Sequence, residues 1–310
     1  MRVLIFGSTG LLGLSFIYRF YKELDIIAVI NKKNLKVDNV DTIKILSPSL
    51  NMKELDRIIL DKRPEVVINA AALTNIETCE SQKIEAFDVN SELASNISIV
   101  CYRYNIKFIH LSTDSLFKGD EEYKKETANY DPQNIYAESK VQAEKLILKN
   151  NSEALILRTS FYGWGPSTRQ SLSDWIIESL RSKKEINCYN NIYFTPVFTS
   201  ELSETILTLI KQGVSGVYNI SCDEKISKYE FALNIANTFN LDKKLIHSIE
   251  YNNSIKVRRP LDLSLSNIKL KKILKIKISS INNQLLQLKE NEKKIEAESN
   301  RLESQTKLNA

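Results

Sequence analysis

The sequence predicts an α/β protein, a doubly wound parallel sheet followed by a smaller C-terminal region. Three observations carry this. Short apolar runs alternate with helix-length amphipathic stretches through the first half of the chain. Three of its eight glycines, Gly7, Gly10 and Gly13, stand between the first such run and the first amphipathic stretch. After Arg158 the alternation loosens. Strands separated by helix-length segments pair in parallel through crossover helices, which is the doubly wound arrangement.

The elements follow in order. Val3 to Phe6 reads as a strand, Leu11 to Tyr21 as a helix and Ile26 to Ile30 as a second strand. Leu55 to Leu60 has helical spacing, and Pro64 punctuates before a strand over Glu65 to Asn69. One long helix is expected over Ile84 to Tyr104, then a strand over Lys107 to Leu111. A helix over Asn134 to Leu148 precedes a strand over Ala154 to Leu157. Gly163, Gly165 and Pro166 mark a loop, and Leu172 to Leu180 resumes helical periodicity. The expected organisation is a Rossmann-like dinucleotide-binding domain over 1–158 and a substrate-binding region over 159–280, some of whose segments return to the main sheet. A polar tail, helical or disordered, is expected over 281–310. There Ile281, Leu285, Leu288, Ile295 and Leu302 follow a broken heptad with polar residues at seam positions. Segment 289–310 carries five basic and five acidic side chains and no aromatic residue.

Composition narrows the function classes. The 310 residues are 43% hydrophobic and 26% charged, as in soluble globular proteins. No apolar run approaches the roughly 20 residues of a membrane helix. The N-terminus reads as a strand rather than a signal peptide, which needs a longer apolar stretch. Cys79, Cys101, Cys188 and Cys222 are scattered, without Cys-x-x-Cys spacing or nearby histidine pairs. No metal is therefore expected, and a reducing cytoplasm is. The net charge of +5 is mild. The lysine run from Lys269 to Lys277 lacks interleaved aromatics, so it reads as a solvated face and nucleic acid is not expected.

A glycine-rich turn between a first strand and a first helix lets backbone N–H groups approach a pyrophosphate at the helix's positive end. The turn Gly7, Ser8, Thr9, Gly10, Leu11, Leu12 and Gly13 is placed for this, with the spacing G-x-x-G-x-x-G. The second strand ends near the adenosine ribose, at Asn31, Lys32 and Lys33. No acid stands there for a 2′-hydroxyl, and a lysine there could neutralise a 2′-phosphate. NADP(H) is favoured, with NAD(H) the alternative. Asn69, Ala70, Ala71 and Ala72 close a strand with small residues, leaving room for a dinucleotide to cross the sheet edge.

Tyr136 and Lys140 lie four apart on an expected helix and share one face. A free tyrosine titrates near pH ~10, and a neighbouring ammonium moves a phenol toward neutrality. A hydroxyl from Leu111-Ser112-Thr113-Asp114, at a strand end, can orient a carbonyl beside that tyrosine. With Val67-Ile68-Asn69-Ala70-Ala71-Ala72, Tyr136-Ala137-Glu138-Ser139-Lys140, Arg158-Thr159-Ser160, Gly216-Val217-Tyr218-Asn219-Ile220 and Arg259-Pro260 with Ser264, these motifs make a set. The set resembles the extended short-chain dehydrogenase/reductases, and within them the dTDP-4-dehydrorhamnose reductase family, over about residues 1 to 288.

The resemblance implies a catalytic triad of Thr113, Tyr136 and Lys140. Asn90 would be a fourth member supporting the lysine through water, or a bridge within its own helix. Tyr136 and Lys140 would also contact the cofactor. Thr74, Asp114, Ser115, Phe161 and Arg259 would line the substrate side. For Trp175 a place there or in the core is open, and for Arg259 a pyrophosphate contact or a surface ion pair. Two positions depart from the family. Ser115 stands where a tyrosine is usual, and Phe161 where tryptophan is common. The dehydratase relatives place glutamate after the aspartate, and Ser115 argues against elimination.

The implied reaction is reduction of a 4-keto-6-deoxy nucleotide sugar in polysaccharide precursor synthesis. The alternatives are a nucleotide-sugar 4-epimerase and a non-catalytic regulatory subunit of the same fold. The partners expected are the nucleotide sugar and, optionally, a second copy of the chain in a homodimer; no membrane is expected.

Overall fold

A computed structural model of the protein describes residues 1–47, 50–165, 170–252, 257–275 and 278–292. Its centre is a seven-stranded sheet in which every pairing is parallel. Six strands come from the first half: β1 (Arg2–Phe6), β2 (Asp25–Ile30), β3 (Val40–Lys44), β4 (Val66–Asn69), β5 (Lys107–Leu111) and β6 (Leu155–Thr159). The seventh, Gly216–Ile220, lies at the edge beside β6. From that edge the order runs β6, β5, β4, β1, β2, β3. The chain therefore steps outward from β1 to β3, then crosses to β4 on the other side of β1. The carboxyl ends diverge at that switch point and open a crevice.

Strand alternation explains the two cores. Val3 and Ile5 face one apolar cluster, while Leu4 and Phe6 face the other. Both faces are covered, so these strands are apolar throughout rather than alternating. On the first face α1 (Leu11–Phe20) packs on the helix Thr199–Lys211. On the second, α2 (Met52–Lys62), Leu93–Arg103 and Ile135–Asn150 pack in succession.

Four features differ from the sequence reading or extend it. First, β3 was not expected. Its residues are half-buried or exposed at the sheet edge, so they carry little apolar signal.

Second, the helix expected over Ile84 to Tyr104 is interrupted. It runs as Lys83–Phe87, a π-helical turn over Asp88–Glu92, and Leu93–Arg103. A π turn inserts a residue without changing apolar spacing much, so periodicity does not reveal it.

Third, Gly216–Ile220 returns to the main sheet. The rest of the second half builds three two-stranded ladders: Phe161–Tyr162 with Val197–Phe198, Ile186–Tyr189 with Ile246–Ile249, and Tyr193–Phe194 with Ile226–Ser227.

Fourth, the segment expected as a tail from Ile281 starts as a helix over 281–292. Ile281, Leu285 and Leu288 are buried in the first core. Its polar seam residue Gln284 is buried because distant partners satisfy it. Gln284 Oε1 accepts from Phe198 N at 2.6 Å, and Nε2 donates to Ser279 O at 2.6 Å. Trp164 Nε1 donates to Leu288 O at 2.8 Å. Residues 293–310, with Ile295 and Leu302, lie outside the described residues, as do Pro166 and Lys277.

Leu285→Ala is expected to lower unfolding free energy by about 2–5 kcal/mol, the cost of a buried Leu-to-Ala cavity. A urea midpoint unchanged from wild type would show that this helix is not part of the cooperative core.

The lysine run falls on the helix Ile268–Leu274, whose Leu270 and Leu274 are buried. Lys269 Nζ donates to Val217 O, and Lys271 pairs with Asp223. Among the described residues, no helix is long and apolar enough to cross a membrane, and no group of His, Cys, Asp and Glu is gathered to hold a metal.

Candidate active site

A cleft of about 590 Å³ opens over the carboxyl ends of β1, β2, β4, β5 and β6. Its floor at one end is the glycine turn. Gly7 has φ +79°, and a Cβ there would lie 2.5 Å from the carbonyl carbon of Ala70. A Cβ on Gly13 would lie 2.3 Å from Gly7 O. Both positions therefore require glycine, one for its left-handed backbone and close approach to β4, the other for helix-on-turn packing. Gly10 caps α1 without a side-chain bond, so the first N–H groups of the helix face the cleft with their partial positive charge. Ser8 serves the turn itself, donating its buried Oγ to Ile5 O at 2.6 Å.

These residues fit a dinucleotide. Gly7, Thr9, Gly10, Leu11, Leu12 and Gly13 line the cleft, and Ala70 and Ala71 form its side. Asn31 also lines it, and its Nδ2 is buried with no hydrogen-bond partner among the described residues. An orphan donor in such a place is costly unless a ligand accepts from it. Of the two lysines at the end of β2, Lys33 lines the cleft while Lys32 is exposed and does not.

The catalytic candidates meet at the other end. Thr113, Asp114, Tyr136 and Phe161 line the cleft, as does Thr74. The helix carrying Tyr136 begins where Asn134 caps it, its Oδ1 accepting from Ala137 N at 2.9 Å. Asn134 Nδ2 also donates to Arg258 O, which ties the helix start to the second half of the chain. Thr113 Oγ1 donates to Asp114 Oδ1 at 3.2 Å. Ser115 does not line the cleft; its Oγ donates to the same aspartate oxygen at 3.0 Å. Burial pushes the Asp114 carboxyl above its ordinary range, against the opposing pull of the Lys228 charge.

Lys140 lies one turn beyond Tyr136 and is buried at 1% exposure. Its Nζ donates to Leu111 O at 2.7 Å and lies 3.0 Å from His110 Nε2. Desolvation lowers its pKa from 10.5 to about 8, partly opposed by the negative charge of Glu144. Between those two values the folded protein binds fewer protons at this site than the unfolded chain. Stability therefore rises with pH over that interval, and the gain is absent below it. At about 1.4 kcal/mol per pH unit the rise is about 3 kcal/mol. Lys140→Met lacks this term, so the stability difference between the two proteins is expected to shift in favour of wild type from pH 8 to 10.5. A flat difference would sink the assignment.

Three expected site residues stand elsewhere. Asn90, in the π-helical turn, has its side chain taken up by Leu73 and Ser139. It accepts from Leu73 N at 2.7 Å and donates to Leu73 O and Ser139 Oγ. It braces the neighbour of Lys140 without a direct bond to Lys140 itself. Arg259 pairs with the exposed Glu77. Trp175 does not line the cleft and packs against the first core.

Asn69, expected on the cofactor side, is fully buried beneath the cleft. Sequence reasoning missed others, among them His110, which is fully buried beside it. Lys228 begins the helix Lys228–Phe239 with its Nζ over the Phe194 ring. Burial lowers its pKa to about 7, while the Asp114 charge raises it and Arg259 lowers it. Thr159 lines the cleft with a buried Oγ1 that has no partner among the described residues. Beneath Thr113, Arg158 and Glu144 form a buried ion pair at 2.7 Å. Arg158 and Thr159 stood in the Arg158-Thr159-Ser160 motif, and His110 lay inside the strand expected over Lys107 to Leu111, directly before Leu-Ser-Thr-Asp.

Comparison with known proteins agrees with this arrangement. The chain is 28% identical over 256 residues to the probable low-salt glycan biosynthesis reductase Agl14 of Haloferax volcanii, covering 80% of this chain and 83% of that protein. It is 26% identical over 279 residues to methionine adenosyltransferase 2 subunit beta of Rattus norvegicus, covering 87% and 81%. The crystal structure of a hypothetical dTDP-4-dehydrorhamnose reductase from Sulfolobus tokodaii superposes with a TM-score of 0.79 at 26% identity, covering 91% of this chain and 98% of that one. The family profile described as the RmlD substrate binding domain matches residues 1–293, and the chain belongs to that family of extended short-chain dehydrogenase/reductase fold.

Proposed function

We propose that the protein reduces a 4-keto-6-deoxy nucleotide sugar in glycan precursor synthesis, in the cytoplasm, with NADPH favoured over NADH. The observation that carries this is the convergence of Thr113 and Tyr136 on the one cleft that the Gly7–Gly13 turn enters, with Lys140 buried one turn behind. A bound reduced nicotinamide supplies the hydride for C4. Thr113 Oγ1 holds the substrate carbonyl in line, and Tyr136 Oη donates the proton to its oxygen. The positive charge of Lys140 stabilises the phenolate that remains on Tyr136. Asn31 and Lys33 lie where a 2′-phosphate needs a donor and a positive charge, which supports NADPH. Asp114, held by Thr113 and Ser115, presents a carboxylate to the sugar hydroxyls.

Ser115 and Phe161 alter the sugar side relative to the family pattern, so the substrate panel must extend beyond one sugar. Incubation with dTDP-4-keto-6-deoxyglucose and related ketosugars, followed by NADPH and NADH absorbance, is expected to show oxidation with at least one. No oxidation with any of them, at enzyme concentrations sufficient for slow turnover, rejects the reductase. Sugar inversion without consumption of reductant identifies a 4-epimerase. The similarity to methionine adenosyltransferase 2 subunit beta supports one further reading, a non-catalytic subunit, for which dinucleotide binding without turnover is the signature.

A further inference from the structure

From the half-buried Ala71 at the cleft wall, three buried side chains continue a chain whose hydrogen-bond directions are set at one end. Ala71 N donates to Asn69 Oδ1 at 3.1 Å. A backbone N–H can only donate, so the amide oxygen of Asn69 faces Ala71 and its NH₂ faces His110. Asn69 Nδ2 lies 3.3 Å from His110 Nδ1, which must then accept. A neutral imidazole that accepts at Nδ1 carries its proton on Nε2. That N–H points at Lys140 Nζ, 3.0 Å away. An ammonium has no lone pair to receive it, whereas a neutral amine has one and still has hydrogens for Leu111 O.

We infer that His110 is a positioning residue whose Nε2–H tautomer, imposed by Asn69, holds Lys140 as a neutral amine in the free protein. This rests on the reductase reading only for its consequence, that Lys140 gains its charge when Nζ leaves His110 for the cleft, the proton coming from solvent. The remaining surroundings are consistent. Asn69, His110 and Lys140 are 0%, 0% and 1% exposed. Burial keeps His110 from protonating. The charged groups nearest Lys140 are Glu144, one turn along the same helix, and Arg158 from β6. Glu144 favours the ammonium, but its oxygens are occupied by Arg158, Ser112 and Tyr130. Tyr136 precedes it on the same helix. The alternative polarity, with an ammonium donating to Nε2, puts a proton on Nδ1 against the NH₂ of Asn69. Turning the Asn69 amide over relieves that clash but sets NH₂ against Ala71 N–H. Asn69 thus links the turn packed on Gly7 to the charge state of Lys140.

The chain has two histidines, His110 and His247, so ¹⁵N-histidine NMR of the free protein resolves the question, with His247→Asn giving the assignment. The expected spectrum shows His110 neutral with its proton on Nε2 at pH 9, above the value of about 8 to which desolvation lowers Lys140. A proton on Nδ1, or an imidazolium, overturns the inference. Asn69→Asp keeps an acceptor for Ala71 N and presents a second acceptor to Nδ1, so Nε2 is expected to lose its proton; retention of that proton also overturns it. Calorimetry of NADPH binding in buffers of different ionisation enthalpy is expected to show net proton uptake by wild type and its loss in Asn69→Asp. Equal uptake in the two proteins counts against the proposal. None of these measurements requires turnover, so a failed ketosugar assay and a failed tautomer assignment remain distinguishable.

Discussion

Tyr136→Phe is expected to lower ketosugar reduction by about 10²–10⁴-fold, the contribution of a positioned general acid. The phenylalanine ring fills the same space at the cleft wall but has no proton to give. Tyr136 is half-buried, outside both main cores, so the fold is expected to keep its stability within about 0.5 kcal/mol. Dinucleotide affinity, read by NADPH fluorescence, is expected to stay within a few-fold. Turnover measured at saturating ketosugar then falls without a matching fall in binding, the pattern of an interaction made in the transition state. Full activity in the variant would transfer the proton donor's role to another group, and Thr113 would be the first to test.

The second large effect lies under the site. Arg158 and Glu144 are 1% and 0% exposed, and their contacts are extensive. Arg158 Nε lies 3.1 Å from both carboxylate oxygens and Nη2 lies 2.7 Å from Oε2. Arg158 also donates to Glu126 O and Tyr130 Oη, and its guanidinium stands over the Phe117 and Tyr130 rings. Ser112 Oγ donates to Glu144 Oε1, which ties the pair to the residue before Thr113. Arg158→Met leaves a carboxylate buried without its countercharge, and the expected loss is about 3–5 kcal/mol in urea unfolding. The double change Arg158→Met with Glu144→Leu removes the orphan charge and is expected to recover a substantial part of it. A loss under about 1 kcal/mol for Arg158→Met, the worth of an exposed pair, would mean that the charges are solvated and that the pair does not anchor Ser112.

Much of this site was legible in the chain. The glycines at 7, 10 and 13, the small residues after Asn69, Thr113 at a strand end, and the four-residue spacing of Tyr136 and Lys140 are local features. Each depends on an element only a few residues long, so the sequence displays it directly. The residues whose surroundings the sequence left open share a different cause. Lys32 and Lys33 are adjacent and chemically identical, and only the path of the chain beyond β2 decides which faces the cleft. Arg259 finds Glu77 across a separation of 182 residues, and Asn90 finds Ser139 across 49. Such partners leave no periodicity to read.

By itself, then, the sequence determined the parallel sheet, most of its first-half elements and the candidate catalytic side chains, because apolar period, glycine placement and helical spacing are local physics. Tertiary structure decided what surrounds those side chains. It brought Gly216–Ile220 back to the sheet edge and buried one face of the helix over 281–292, where Gln284 accepts from the distant Phe198. It also set Asn69 and His110 beneath Lys140. The Tyr136–Lys140 spacing could name the pair, but the charge carried by the lysine depends on desolvation and on hydrogen-bond direction. Those are properties of a packed interior, where each donor must meet an acceptor supplied by another part of the chain.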